Sequence, residues 1–272
     1  MHARKRMLTL DTVISPTEFR LSAYDPDDTF GMDERECMRL FDENRPRIAE
    51  LQNVLYAEKK QSLLIVLEAM DTGGKDPVVR DVLSAANPQA CRVTAFKRES
   101  SSEKQRDHLW RFHQHVPADG EIGVFNRSYY DETIADDAHG DLTEKLRASR
   151  YEQIRSFERM LTEDNVTILK MFLHISKDEQ RHRLQERIDD PSRHWELSES
   201  DFKERKYWDG YMRAYETAIR QTHAEHAPWH VVPSDCKWFR DAAASKLILE
   251  TLERMAPQYP PAKVDLNNIE WY

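Results

Sequence analysis

Five apolar runs stand out along the chain and predict the strands of a sheet. Residues 63–67 and 166–175 are almost continuously apolar, a pattern typical of strands buried on both faces of a parallel sheet. The run at 166–175 is therefore predicted to take a central position. Shorter runs predict three more strands, at 92–96, 121–126 and 229–233. Helical patterns separate the runs, and this alternation predicts an α/β protein with a mostly parallel sheet.

Apolar residues at helical spacing predict the helices. The first spans Asp33 to Ala57, and Pro46 is expected to kink or divide it. Its predicted buried stripe is Met38, Leu40, Phe41, Ile48, Leu51 and Leu55. A second helix follows the strand at 63–67 and is closed by Asn87-Pro88. Further helices are predicted from the capping-box pairs Ser100/Glu103 and Ser176/Glu179, at 143–162, around 208–219 and after 233.

The loop after the first strand carries the clearest chemistry. Residues 71–76 read Asp-Thr-Gly-Gly-Lys-Asp, and strand, glycine loop, lysine and helix together are the layout of a phosphate-binding P-loop. Gly73 and Gly74 let backbone N–H groups approach phosphate oxygens. Lys75 supplies a full positive charge beside the N-terminus of the helix. An ordinary glycine turn is the alternative interpretation of this pattern.

Two departures from the usual G-x-x-x-x-G-K-[ST] pattern change the expected metal site. Ala69 takes the first glycine position, and Asp76 replaces the Ser or Thr whose hydroxyl normally contacts Mg²⁺. Asp71 offers a carboxylate in its place. At the end of the strand at 121–126, Asn126 takes the position where many P-loop proteins have a metal-binding Asp, and Arg127 beside it is predicted to neutralise phosphoryl charge. A strand-ending turn with a surface arginine is the alternative.

Other basic residues are predicted to line the ligand. Lys97 and Arg98 follow the second strand, where ligand crevices form in α/β proteins. The helix that begins near Ser176 carries Arg181, Arg183 and Arg187, and a polar insert at 189–195 interrupts it. The alternatives are a solvated helical face and a lid that brings positive charge over a polyanion.

The composition narrows the class of protein. Of 272 residues, 33% are charged, and the net charge of −9 argues against general nucleic-acid binding. No apolar run is long enough to cross a bilayer, no apolar signal core follows the basic residues at 4–6, and the three cysteines are widely separated. We therefore expect a reduced cytoplasmic protein that binds neither membrane nor nucleic acid. The predicted units are an arm and helical segment at 1–57, a core at 58–256 with a lid at about 181–211, and a tail at 257–272.

Four motifs, in order, resemble those of the polyphosphate kinase 2 family. They are Glu68 to Asp76, Gly120 to Tyr130, the pair of segments Asp189 to Trp195 and Tyr207 to Tyr211, and Ala227 to Pro233. The resemblance covers roughly Asp33 to Met255. It implies a P-loop kinase-like three-layer α/β/α fold with a helical lid. It also implies Mg²⁺-dependent (or Mn²⁺-dependent) reversible phosphoryl transfer between inorganic polyphosphate and AMP or ADP, giving ADP and ATP, by a homo-oligomer, either a dimer or a tetramer.

The resemblance also suggests residue roles. Asp71 would bind the metal with help from Asn126, Lys75 would hold the transferred phosphoryl group, and Arg127 would stabilise its charge. The predicted nucleotide- or phosphate-binding residues are Thr72, Gly73, Gly74, Asp76, Lys97, Arg181, Arg183 and Arg187.

Residues 126–128, Asn-Arg-Ser, resemble the branch that accepts both AMP and ADP. Pro77 and the pair Asp136-Asp137 depart from that branch, and the acidic pair is expected to weaken ligand binding or to change the acceptor. Two other functions stay open. One is a P-loop kinase that uses ATP on a nucleotide or small metabolite, and the other is a nucleotide-binding regulator without turnover.

Overall fold

A five-stranded parallel sheet forms the centre of the molecule. The computed structural model describes residues 17–97, 99–265 and 269. The strands are β1 (Ser62–Ala69), β2 (Cys91–Ala95), β3 (Ile122–Asn126), β4 (Val166–His174) and β5 (Trp229–Pro233), in the order β2-β3-β1-β4-β5. All four pairings are parallel. The predicted α/β class and its five strands are thus confirmed.

The middle strand is β1, and β4 lies inside the sheet between β1 and β5. All eight residues of β1 are buried, which explains its unbroken apolar run. In the parallel register Leu67 pairs with Asn126 of β3. The carboxyl ends of β1 and β3 therefore bring the glycine loop and the Asn126-Arg127 segment to the same edge of the sheet.

Helices cover both faces of the sheet and give three layers. They are α1 (Glu34–Glu58), α2 (Lys75–Pro77), α3 (Trp110–His113), α4 (Asp131–His139), α5 (Glu144–Glu163), α6 (Lys177–Asp189), α7 (Glu199–Glu204), α8 (Trp208–Thr222) and α9 (Lys237–Met255). One buried cluster joins the sheet to α1 and α9 through Ile48, Leu55 and Phe239. The other joins it to α4, α5 and α8 through residues such as Ile134 and Phe157. Within the described residues, no helix combines the length and apolarity needed to span a bilayer.

The first helix differs from its prediction in two ways. It runs unbroken from Glu34 to Glu58 with Pro46 inside, so Pro46 does not divide it. Proline removes one helical hydrogen bond, and the packing of α1 along α9 offsets that loss. In the predicted stripe Ile48 and Leu55 are buried, but Met38 is 54% exposed.

Helix lengths next to the loops were predicted less well. The helix after the glycine loop consists of α2 and a π-helical turn, Val78–Val82. The helix predicted after Ser100 is only a 3-10 turn, Glu103–Gln105, and the short α3, although Glu103 does accept a hydrogen bond from the Ser100 N–H at 2.7 Å. The sequence analysis missed α4, because its four acidic residues obscure the apolar spacing of a nine-residue helix.

The described parts of the N-terminal arm and of the C-terminal tail differ in structure. The described part of the N-terminal arm packs on the body, where Phe19 and Leu21 are each 4% exposed and the Leu21 N–H donates to Glu216 at 2.9 Å. Pro16, part of the predicted arm, lies outside the described residues. The tail between Pro257 and Asp265 contains no helix or strand.

Candidate functional site

The loop between β1 and α2 has the backbone of a tight phosphate-binding turn. Thr72 has φ +64° and Gly74 has φ +105°, and glycine adopts such left-handed backbone without steric cost. Gly74 also lies against a buried arginine, because a Cβ on Gly74 would stand 2.2 Å from Nη1 of Arg240. Any side chain at this position would displace Arg240.

Lys75 bends back over the loop that it follows. Its Nζ donates to the carbonyl oxygen of Ala69 at 2.8 Å. Burial and the nearby Arg127 guanidinium lower the pKa of Lys75, while the carboxylates of Asp71 and Asp131 oppose that shift. The lysine therefore lies where a bound anion would stabilise its charge.

Arg127 meets the glycine loop across the edge of the sheet. Its Nη2 donates to Oδ1 of Asp71 at 3.0 Å, and its φ of +67° turns the chain sharply after β3. Asn126, next to it, donates from Nδ2 to Oδ1 of Asp76. The predicted metal-binding and catalytic residues thus lie together, although they come from separate parts of the sequence.

A buried acidic layer lies beneath these groups and was missed by the sequence analysis. Glu68 is fully buried. Its Oε1 accepts from the Ser128 hydroxyl at 2.6 Å, and its Oε2 has no hydrogen-bond partner in the described part of the chain. Asp131, the first residue of α4, accepts from the Ser128 N–H at 2.9 Å. Burial, and next the charge of Asp131, raises the pKa of Glu68 well above its usual value. The signal for Glu68 that the sequence offered was a charged residue near the end of a strand predicted to be buried.

The glycine loop, Lys75, Asn126 and Arg127 line a cleft of about 890 Å³. Of the described residues, nine Lys or Arg and seven Asp or Glu side chains surround it, an excess of two cations in a chain whose net charge is −9. The predicted site residues in its wall are Asp71, Thr72, Gly73, Gly74, Lys75, Asp76, Lys97, Asn126, Arg127, Arg183 and Arg187. Four further cations in the wall were not among the predicted binding residues: Arg80, Arg193, Lys237 and Arg240. Of these, Arg193 belongs to the insert at 189–195 that the sequence analysis had included in the predicted lid.

The three arginines predicted for the lid have different surroundings. Arg181 is exposed and does not line the cleft. Arg187 lines it, with Nε 3.0 Å from Oε2 of Glu196. Arg183 is 5% exposed, and its guanidinium bonds to backbone carbonyls such as Thr72 O at 2.9 Å. Arg98, paired with Lys97 in the prediction, lies outside the described residues.

The acidic pair that departs from the resembling branch lies against α5. Arg147 Nη1 is 2.8 Å from Asp137 Oδ1, and Arg150 Nη1 is 3.4 Å from Asp136 Oδ2. Neither aspartate lines the cleft. Arg147 and Arg150 of α5 therefore place positive charge beside the acidic pair.

Comparisons with known proteins agree with the four motifs. The family model described as Polyphosphate kinase 2 (PPK2) matches residues 32–260. An AMP/ADP-polyphosphate phosphotransferase of Meiothermus ruber is 44% identical over 244 residues, which cover 89% of this chain and 91% of that protein. An ADP-polyphosphate phosphotransferase of Rhodopseudomonas palustris is 42% identical over 226 residues, covering 79% and 78%.

A solved structure extends the likeness to the whole fold. The crystal structure of a polyphosphate kinase 2 from Arthrobacter aurescens TC1 matches with a TM-score of 0.88 and 41% identity. The match covers 96% of this chain and 97% of that one. The likeness therefore extends over nearly the whole chain, not the P-loop alone.

Proposed function

This chain belongs to the polyphosphate kinase 2 family, and we propose that it transfers phosphoryl groups reversibly between inorganic polyphosphate and AMP or ADP. The observation that carries the proposal is the convergence of Lys75, Arg127 and Asp71 in a cleft with excess positive charge. A polyanionic donor and an anionic acceptor repel each other, so such a reaction needs positive charge at the point of transfer.

Lys75 and Arg127 are proposed to act on the group in transfer. Lys75 exchanges its hydrogen bond to the Ala69 carbonyl for an oxygen of the terminal phosphoryl group. Arg127 faces the same point from β3 and stabilises the charge that spreads over the equatorial oxygens. In-line approach of donor and acceptor to about 3–3.5 Å then supplies most of the remaining catalysis. The backbone N–H groups of the glycine loop, with Thr72, are proposed to hold the non-transferred oxygens, and Asp76 is proposed to contact them through the metal ion.

The proposed cofactor is Mg²⁺, with Mn²⁺ as a substitute. Hard cations prefer oxygen ligands, and Asp71, Asp76 and Asn126 present carboxylate and amide oxygens at the edge of the sheet where the phosphates are proposed to bind. Among the described residues no three His, Cys, Asp or Glu side chains form a metal site. This suits an ion shared with substrate phosphates rather than held in a protein cage. When bound, the ion neutralises phosphate charge.

A metal titration tests the ligand assignment without turnover. We expect Asp71→Asn to weaken Mn²⁺ binding in the presence of ADP, measured by electron paramagnetic resonance of the free ion. Glu196→Gln, which removes a carboxylate from the same cleft outside the proposed ligand set, is the matched control. Equal Mn²⁺ affinities for Asp71→Asn and the unchanged protein would remove Asp71 from the ligand set.

The proposed acceptors rest on the names of the relatives and on residues 126–128. The Meiothermus ruber relative is named for both AMP and ADP, and we propose the same two acceptors here. We also propose a cytoplasmic homo-oligomer, a dimer or a tetramer, that does not act on nucleic acid.

The deciding experiment mixes purified protein, Mg²⁺, long-chain polyphosphate and AMP without ATP, and follows ADP and ATP with time. Formation of both supports the reaction and the two acceptors together. ADP alone restricts the acceptor to AMP. If neither AMP nor ADP accepts from polyphosphate while ATP serves as donor, the ATP-dependent kinase is the correct function. Nucleotide binding without turnover from either donor would favour the regulator.

A further inference from the structure

The first two turns of α6 reach back to the phosphate-binding loop and hold its backbone. Gln180 Nε2 donates to the carbonyl oxygen of Asp71 at 3.0 Å. Arg183 Nη1 donates to the carbonyl oxygen of Thr72 at 2.9 Å. Gln180 is 1% exposed and Arg183 is 5% exposed, so little water is available to replace either bond.

Arg183 joins three segments that are distant in the sequence. Besides Thr72, its Nη2 donates to the carbonyl oxygens of Ser234 and, at 3.1 Å, Asp235, which follow β5. Its Nε donates to Glu179 Oε1 at 2.6 Å. These bonds use most of the donors of the guanidinium, which leaves little capacity for a phosphate chain.

Gln180 is itself held in orientation. Nη1 of Arg205, in the 3-10 turn Arg205–Tyr207 that precedes α8, donates to Gln180 Oε1 at 2.5 Å. With its oxygen occupied in this way, the amide presents its NH₂ group to Asp71. The orientation needed to hold the loop is therefore fixed by a second contact.

We infer that Gln180 and Arg183 are positioning residues for phosphoryl transfer, which hold the Asp71-Thr72 backbone so that Asp71 and Lys75 face the reacting phosphate. The loop requires this support at Thr72, a non-glycine residue with φ +64°. Such a conformation persists only where neighbouring contacts impose it. The inference rests on the proposed function for its kinetic consequence. It assigns Arg183 to the loop, whereas the sequence had placed it on the polyphosphate path.

One helical turn further on, Arg187 provides the contrast. It lines the cleft, and its Nε lies 3.0 Å from the Glu196 carboxylate, a partner that a phosphate can replace. If both arginines served the polyphosphate, their substitution would have the same kinetic signature. If Arg183 positions the loop, the two signatures differ.

The test compares Gln180→Leu and Arg183→Lys with Gln185→Leu, the same glutamine substitution at an exposed position of the same helix that does not line the cleft. For both test variants we expect kcat to fall by about 10- to 100-fold, because misplacement on the order of 1 Å costs about this much. The KM for polyphosphate and its salt dependence are expected to change less than about twofold. Gln185→Leu is expected to match the unchanged protein.

Hydrogen exchange measured by mass spectrometry provides a readout independent of turnover. The peptide that spans residues 70–76 is expected to exchange faster in Gln180→Leu and Arg183→Lys at unchanged global stability, and not in Gln185→Leu. Unchanged exchange and kcat in Gln180→Leu would overturn the inference. So would an Arg183→Lys variant that raises the KM for polyphosphate and flattens its salt dependence at constant kcat. Absence of polyphosphate turnover in the unchanged protein would count against the proposed function only, since the exchange result decides the positioning role by itself.

Discussion

Six of the nine described cations around the cleft fall into two groups, which differ in their contacts with the backbone rather than in carboxylate pairing, since Arg183 and Arg240 also pair with Glu179 and Asp241. We call Lys75, Arg183 and Arg240 the floor cations, and Arg187, Arg193 and Lys237 the rim cations. Floor side chains bond to backbone or pack against it: Lys75 donates to Ala69, Arg183 to Thr72, and Arg240 lies against Gly74. Rim side chains pair with carboxylates: Arg187 and Arg193 with Glu196, and Lys237 with Glu186.

The difference indicates how each group is used. The side chains of Arg193 and Lys237 are 38% and 51% exposed, against 17% for Arg187 and 3% for Arg240. Exposed ion pairs contribute about 0–1 kcal/mol, so we expect Arg193 and Lys237 to exchange their carboxylates for phosphate oxygens at little cost. Buried hydrogen bonds to carbonyls are costly to leave unmade, so we expect the floor to keep its geometry. The hypothesis is that the floor sets the geometry of transfer and the rim sets how tightly a polyanion binds.

Substitution in the catalytic part of the floor should have the largest effect. Lys75→Ala removes the charge proposed to hold the transferred phosphoryl group. We expect kcat to fall by roughly three orders of magnitude or more, as for single electrostatic groups in other active sites. Initial rates of ADP formation from polyphosphate and AMP measure it. Arg127→Ala is expected to behave alike.

Circular dichroism and thermal unfolding provide the control, since Lys75 is half-buried and contributes to neither apolar core. If Lys75→Ala retained near-normal kcat with a higher KM, Lys75 would act like a rim cation and the comparison would fail.

The sequence analysis predicted those parts of the candidate site that each lie within one short stretch of the chain. The glycine loop, Lys75 and the strand-ending Asn126-Arg127 are each visible as a local pattern of strand, turn and charge. The parallel register of β1 and β3 then joins them, and that adjacency follows from the alternation of strands and helices. The motifs of the family gave the order in which they occur.

Contacts between distant segments could not be predicted in this way. The contacts of Arg183 with Thr72, Ser234 and Asp235 could not be predicted, because a sequence shows the charge of Arg183 and not its burial. Glu68 and Asp131 were missed because their pKa shifts arise from desolvation in the folded state. Arg240 was missed because its contact with Gly74 depends on how α9 packs against the loop.

A buried cation outside the cleft allows the effect of burial on stability to be tested apart from catalysis. Lys170 on β4 is fully buried, 2.8 Å from Glu158 of α5, and also donates to Tyr130 and to the carbonyl of Thr222. Lys170→Met leaves the Glu158 charge buried without its counterion. We expect a loss of about 3–5 kcal/mol in the free energy of unfolding, measured by urea denaturation.

The double variant Lys170→Met/Glu158→Leu is the control, and it should recover much of the loss, because it removes both buried charges. If the single variant Lys170→Met were as stable as the unchanged protein, burial alone would not make a cation costly to remove. That result would weaken the argument that the buried contacts of the floor cations are costly to break.

Rim substitution should have a smaller, salt-dependent effect. Arg193→Ala removes a cation whose present partner is Glu196. We expect the KM for polyphosphate to rise several-fold and the slope of log KM against log salt to fall by about 0.7, the value for one lost phosphate contact on a single-stranded polyanion. Steady-state rates at several salt concentrations measure both. An unchanged slope would show that Arg193 does not meet the polyanion.

The smallest effect on kinetics is expected from substitution of Asp136, which belongs to neither the floor nor the rim. Its carboxylate lies 3.4 Å from Arg150 of α5 and outside the cleft wall. Asp136→Asn should therefore leave the KM for AMP, ADP and polyphosphate within about twofold, since a partly exposed pair contributes about 0–1 kcal/mol to stability. Arg150→Gln, which breaks the same pair from the other side, should give the same result. A changed preference between AMP and ADP in Asp136→Asn alone would mean that the Asp136 charge acts on the acceptor across α4. Residues outside the cleft wall would then also contribute to the electrostatics of the site.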